Sequence, residues 1–179
     1  GDTLIHIGDI KDEYGKPVTI KDLAEGKDGT LWLAHTDGVS SIKGEIVTNY
    51  YESDGLISHD VWCIEAHSNG DIWIGTIKGA CVFNGEDFME FELPEGKIDS
   101  TLGISSTKMV HNIYEDKEGT LWFSTNAGLF SYSQNKLVNV SKGVGIQTNL
   151  VNELLEDNTG AIWISTKAGL YIPQRRDCH

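Results

Sequence analysis

The sequence predicts an all-β protein, a β-propeller of four-stranded blades with four repeats per chain. Three observations predict it. Tryptophan recurs at blade spacing, glycine turns recur in register with it, and no segment carries a 3.6-residue apolar stripe.

The tryptophans set the register. Trp32, Trp73, Trp122 and Trp163 are 41, 49 and 41 residues apart. Their surroundings repeat as Gly29-Thr30-Leu31-Trp32-Leu33, Gly70-Asp71-Ile72-Trp73-Ile74, Gly119-Thr120-Leu121-Trp122-Phe123 and Gly160-Ala161-Ile162-Trp163-Ile164. Six residues after each tryptophan stands Gly38, Gly79, Gly128 or Gly169. Nine before it stands Leu23, Ile64, Ile113 or Leu154, and twelve before it Ile20, Val61, Val110 or Val151. Each copy reads as a first strand such as Val61–Ala66, a turn, the tryptophan strand and a second glycine turn. Third strands follow at Val39–Lys43, Ala80–Asn84, Leu129–Ser133 and Leu170–Ile172. Fourth strands follow at Ile46–Tyr50, Asp87–Phe91 and Lys136–Val140. Four short strands per repeat match a propeller blade; leucine-rich or ankyrin arrays need shorter periods and helices.

The ends bear on closure. Copy four runs out after its third strand, while Thr3–Ile7 supplies a spare strand ahead of copy one. That strand is expected to complete the last blade, which would remove exposed sheet edges. Closure within one chain gives a four-bladed monomer. Closure by exchange between two chains gives an eight-bladed homodimer ring, which the bulky tryptophan cores favour. The expected domain organisation is one propeller over residues 1–179, with blades centred on the four tryptophans.

Composition narrows the function classes. A net charge of −13 argues against nucleic acid or an anionic membrane as partner. The 20 glycines and 3 prolines suit many tight turns. Cys63, Cys81 and Cys178 show no C-x-x-C spacing, so neither a disulfide framework nor a zinc site is indicated. No run approaches the ~20 apolar residues of a membrane helix. The start at Gly1, with no signal peptide visible, reads as a trimmed or mature chain.

At this point the residues resemble a known family. Val110, Ile113, Glu115-Asp116, Gly119, Leu121-Trp122-Phe123, Thr125 and Gly128-Leu129 are similar to the two-component regulator propeller repeat, and Asp54-Gly55-Leu56 looks like its inter-blade linker. The resemblance runs from about residue 3 to 172. It implies a periplasmic or cell-envelope-exposed sensor propeller, of the kind found in hybrid two-component systems of Bacteroidetes. Such sensors usually carry two long propellers, a further β-domain, a membrane helix and a kinase. The chain is therefore expected to be a free-standing or excised propeller. It departs from the repeat at Gly26 and His67, where copies three and four have Asp116 and Asp157. It departs again at His35, where the others have Thr76, Thr125 and Thr166.

A residue repeated in every blade most often packs between blades, so the four register tryptophans read as scaffold. Function is expected where the copies differ, on the face formed by the connections from fourth to first strand and from second to third. The first set contributes Lys21, His59, Asp60, Trp62, Lys108, His111, Asn149 and Asn152; the second contributes His35, Asp37, Lys78, Asn126 and Lys167. Trp62 is off-register from the scaffold tryptophans and leads the set as a stacking residue for a small-molecule or glycan ligand. The insert Pro94–Lys108 is a second candidate recognition loop. His35, His59 and His111 with Asp60 are weighed as a metal site or acid–base pair, but their spacing follows the blade and not a ligand motif. No catalytic residue, metal or cofactor is assigned, since no G-x-S-x-G, H-E-x-x-H or phosphate loop is present. The leading expectation is a non-catalytic ligand-binding or sensor module. The alternatives are a streptogramin-lyase-like enzyme, lacking an evident glutamate beside His59 or His111, and a structural ring-assembly protein.

Overall fold

Short β-branched and aromatic runs, each closed by a glycine turn, form antiparallel ladders rather than helices. The computed structural model describes residues 3–4, 6, 8–98, 100–102, 105–141, 146 and 151–172. Blade 1 holds β1 (Ile20–Glu25), β2 (Leu31–His35), β3 (Gly38–Lys43) and β4 (Ile46–Tyr50). Blade 2 holds β5 (Val61–Ala66), β6 (Ile72–Thr76), β7 (Gly79–Phe83) and β8 (Phe88–Phe91). Blade 3 holds β9 (Val110–Glu115), β10 (Leu121–Thr125), β11 (Gly128–Ser133) and β12 (Lys136–Asn139). Blade 4 holds β13 (Val151–Glu156), β14 (Ile162–Thr166) and β15 (Gly169–Tyr171). Within each sheet, spatial order equals chain order. This is the antiparallel all-β propeller architecture that the repeat predicts.

The turn between the first two strands repeats as one device. Gly29, Gly70, Gly119 and Gly160 each donate their N–H to the carbonyl three residues back. In blades 3 and 4 the aspartate at that position also anchors the tryptophan. Asp116 Oδ2 accepts Trp122 Nε1–H at 2.8 Å, and Asp157 Oδ2 accepts Trp163 Nε1–H at 2.8 Å. In blade 2, where His67 replaces the aspartate, Trp73 Nε1 is buried with no partner. The glycine six residues after each tryptophan sits at φ between +123° and +139°. At Gly38 a Cβ would also collide with the Tyr50 carbonyl, so only glycine fits.

The core lies in the seams between blades. Trp32 packs on Phe83 of the next blade with ring centroids 5.4 Å apart, and Trp73 packs on Phe123 at 5.5 Å. Trp122 packs against the cluster of Leu129, Val151, Leu154, Ile162 and Ile164. Burying each such side chain stabilises by roughly 2–3 kcal/mol relative to exposure. Trp32, Trp73 and Trp122 are scaffold.

The sheet of blade 4 has three strands among the described residues. The expected closing strand, Thr3–Ile7, falls partly outside the described residues. Of it, Thr3, Leu4 and His6 are described and lie in no strand, and Leu4 is fully exposed. The β-pairing of the described residues ahead of β1 is an isolated bridge, Lys11 to Pro17. Cys63 and Cys81 are buried free thiols, while Cys178 lies outside the described residues.

Candidate functional site

In every blade the innermost strand carries a β-bulge at one register position. The first strands are innermost because β1, β5, β9 and β13 touch one another in series. The ladder to the second strand skips between Ile20 and Asp22, Val61 and Cys63, Val110 and Asn112, and Val151 and Glu153. The residues left over are Lys21, Trp62, His111 and Asn152. A bulge re-aims the side chain it frees from the ladder. Four positions that differ between copies are thus presented at one level around the innermost strands.

Lys21, Asp60 and Trp62 gather across the seam of blades 1 and 2. Lys21 Nζ lies 2.6 Å from Asp60 Oδ1 and 4.1 Å above the Trp62 ring centroid. The ammonium and its counter-ion fix one face of the indole. Trp62 is 40% exposed, against 7% for Trp32 and 6% for Trp73, so it offers a ring surface that these two do not.

A second group forms around a residue the sequence did not single out, Glu52. Its Oε1 accepts the His59 backbone N–H at 2.9 Å and lies 3.1 Å from His59 Nδ1 and 3.4 Å from Lys78 Nζ. The His59 backbone N–H, then the His59 ring and Lys78, hold the Glu52 carboxyl below its ordinary range. Beside it opens a cleft of about 380 Å³ lined by Glu13, Asp37, Tyr51, Glu52, Ser53 and His59. Burial, with Asp37 and Glu13 nearby, pushes the Tyr51 phenol up. No repeat position marks Glu13, Tyr51 or Glu52; only the Asp54-Gly55 turn, which folds the connection back, hints at their convergence.

His111 and Asn126 form a third group. His111 Nε2 lies 2.6 Å from Asn126 Oδ1, and Asn126 Nδ2 donates to the Ser106 carbonyl at 2.6 Å. Burial lowers the His111 pKa, favouring the neutral ring. The proton then sits on Nε2, facing the amide oxygen. Ser106 Oγ donates in turn to the Ile77 carbonyl at 2.5 Å. The insert is therefore tied to two blades at this end.

His35 differs from its expected place on the rim. It is fully buried. Its Nδ1 accepts the Asp37 N–H at 3.2 Å and its Nε2 lies 3.0 Å from Ser40 Oγ. Thr76, Thr125 and Thr166 do the same work in their blades, each accepting the N–H two residues on. Burial lowers the His35 pKa, so the histidine is a neutral turn cap. The three histidines do not converge. Among the described residues no three His, Cys, Asp or Glu side chains are grouped to hold a metal ion. Asn152 and Lys167 are exposed on blade 4, and Asn149 lies outside the described residues.

Residues 55–78 and 103–127 match the family model of the two-component regulator propeller. Two stretches of the chain thus match this propeller repeat. Histidine kinase P4 of Formosa agariphila is 29% identical over 114 residues, covering 63% of this chain and 7% of the kinase. The extracellular domain assigned to a hybrid two-component system of B. thetaiotaomicron superposes with a TM-score of 0.70 at 24% identity, covering 90% of this chain and 22% of that one. Virginiamycin B lyase of Staphylococcus aureus superposes with a TM-score of 0.62 at 16% identity, covering 86% and 54%. At these identities the two structures show the fold alone. The chain thus spans a small part of the sensor proteins it resembles. No helix among the described residues is long and apolar enough to cross a membrane.

Proposed function

We propose that this propeller is a non-catalytic sensor module, exposed in the periplasm or at the cell envelope. It binds a small polar ligand, of the oligosaccharide class, on the face of the four bulges. One observation carries the reading: Lys21, Trp62, His111 and Asn152 occupy equivalent bulges yet differ in chemistry. Scaffold positions repeat; a recognition surface for an asymmetric ligand does not. Trp62 supplies a sugar-stacking face, while Lys21, Asp60, His59, Lys78, Asn126 and Lys167 supply or position polar groups for hydroxyls. Similarity to extracellular domains of two-component systems supports the location and the sensory role. Two copies per functional unit belong to the same reading.

A lyase reading draws on one observation, the carboxylate–imidazole pair of Glu52 and His59 at 3.1 Å. Both side chains are half-exposed, so little desolvation activates either group.

Titration calorimetry against a panel of neutral oligosaccharides tests the proposal. Trp62→Ala is expected to weaken binding roughly tenfold, about 1.4 kcal/mol, with an unchanged melting temperature. Binding that survives the substitution moves the site off the bulge face. A panel without a binder removes the oligosaccharide class.

A further inference from the structure

The cations around Trp62 do not stand free. Lys21 Nζ, 4.1 Å above the indole centroid, lies 2.6 Å from Asp60 Oδ1. Lys78 Nζ lies 3.4 Å from Glu52 Oε1, and Lys108 Nζ lies 3.4 Å from Glu95 Oε1. The latter two pairs are half-exposed, whereas the Lys21 and Asp60 side chains are 20% and 31% exposed, so theirs is the pair that solvent screens least. On the third bulge, burial keeps the His111 ring neutral. The neighbouring cleft sets the carboxylates of Glu13 and Asp37 beside Glu52. Their field reaches Tyr51, whose phenol is pushed up by burial first and then by Asp37 and Glu13. The ammonium that lies on the Trp62 ring is therefore already matched by a carboxylate, and the ground beside it is acidic.

We propose that Asp60 sets the charge selectivity of this face: by holding Lys21, it makes the Trp62 platform take uncharged sugars and turn away those bearing a uronate or a sulfate. The inference rests on the sensor reading above and names the class of oligosaccharide. An uncharged sugar stacks its C–H face on the indole and exchanges hydroxyl hydrogen bonds with Lys21 and Asp60 without breaking their pair. An anionic group meets a different balance. It reaches the Lys21 ammonium only by sharing it with Asp60 or displacing Asp60, and in either case two like charges stand side by side. Such juxtaposition is how a recognition surface rejects a wrong partner. The carboxylate can be tested without disturbing the chain around it. The Asp60 N–H donates to Ser58 Oγ and the Asp60 carbonyl accepts the Ile77 N–H, so the backbone is held independently of the side chain. An asparagine at this position keeps an oxygen for Lys21 and removes only the charge.

Titration calorimetry with a neutral and a uronate oligosaccharide of equal length, on wild type and Asp60→Asn, tests the inference. Wild type is expected to favour the neutral sugar, and Asp60→Asn to raise the ratio of acidic to neutral affinity roughly tenfold. Trp62 fluorescence gives a readout that needs no glycan. Iodide and acrylamide quenching, each taken as the difference from Trp62→Phe, report how closely an anion and a neutral molecule approach the ring. The iodide-to-acrylamide ratio is expected to rise in Asp60→Asn and to fall in Lys21→Gln, with wild-type circular dichroism in both. Tighter wild-type binding of the uronate sugar, or a quenching ratio that Asp60→Asn leaves as it was, would overturn the inference. If neither sugar binds, the oligosaccharide reading fails by itself, and the quenching ratio still decides for or against Asp60.

Discussion

Asp116 shows how one side chain joins a turn to the core. Its Oδ1 accepts the N–H groups of Glu118 and Thr120, both at 2.9 Å, while its Oδ2 takes the Trp122 indole N–H. Asp116→Ala is expected to destabilise the chain by roughly 1–3 kcal/mol, because the part-buried indole N–H loses its acceptor. Urea denaturation reads this as a lower midpoint at unchanged slope. Blade 2 shows the alternative state, with Trp73 Nε1 already orphaned where His67 stands. In sequence these two departures, Gly26 and His67, look like functional candidates no less than Lys21 or Trp62 do. Geometry separates them, since one class sits at the turn that pins the tryptophan and the other at the bulge. His35 was misleading for the same reason. It breaks the threonine pattern, yet its ring nitrogen merely replaces the threonine hydroxyl as acceptor for the turn N–H.

At the scale of elements, the seam of β1, β5 and β9 carries a half-buried carboxyl. Glu65 Oε1 accepts the Glu115 backbone N–H at 3.1 Å. The Glu115 carboxylate itself accepts the Ser68 N–H at 2.7 Å and lies 3.5 Å from His67 Nε2. Asp22 faces the same seam and accepts the Ile64 N–H at 3.0 Å. Burial first, then the Glu115 and Asp22 charges, push the Glu65 carboxyl up to about 7, against the pull of the Glu115 N–H and His67. The folded state thus holds a proton that the unfolded chain releases near pH 4.5. Stability from this group is complete below that value and is lost as pH rises through about 7. Glu65→Gln is expected to flatten the melting-temperature profile over that window; an unaltered slope would place the titration elsewhere. Most strand boundaries were legible to within a residue, because tryptophan and glycine fix the register of each blade. The bulges were not. A bulge is a property of pairing between two strands, and nothing local in Val61-Trp62-Cys63 announces that Trp62 is the residue left over. Glu52 escaped for a related reason: it meets His59 through a folded connection at Glu52–Asp54 that no repeat position marks.

The whole molecule behaves as a one-dimensional array, in which each blade is stabilised by its neighbours. Blade 2 has a neighbour on each side, and every residue of β6 and β7 is buried. Among the described residues blade 4 has one neighbouring blade, and its β15 is exposed or half-buried throughout. Local opening free energy follows buried contact. Native-state hydrogen exchange on the isolated chain is therefore expected to show strong protection in β6, β7, β10 and β11, and markedly faster exchange in β14 and β15. The gradient is informative because it depends on what covers the end faces. Whatever covers Leu155 and Leu170 is expected to protect β14 and β15 selectively, while the centre of the array stays as it was. Uniform protection at every dilution would instead mean that all four blades open as one unit, and that stability here is not a sum over seams.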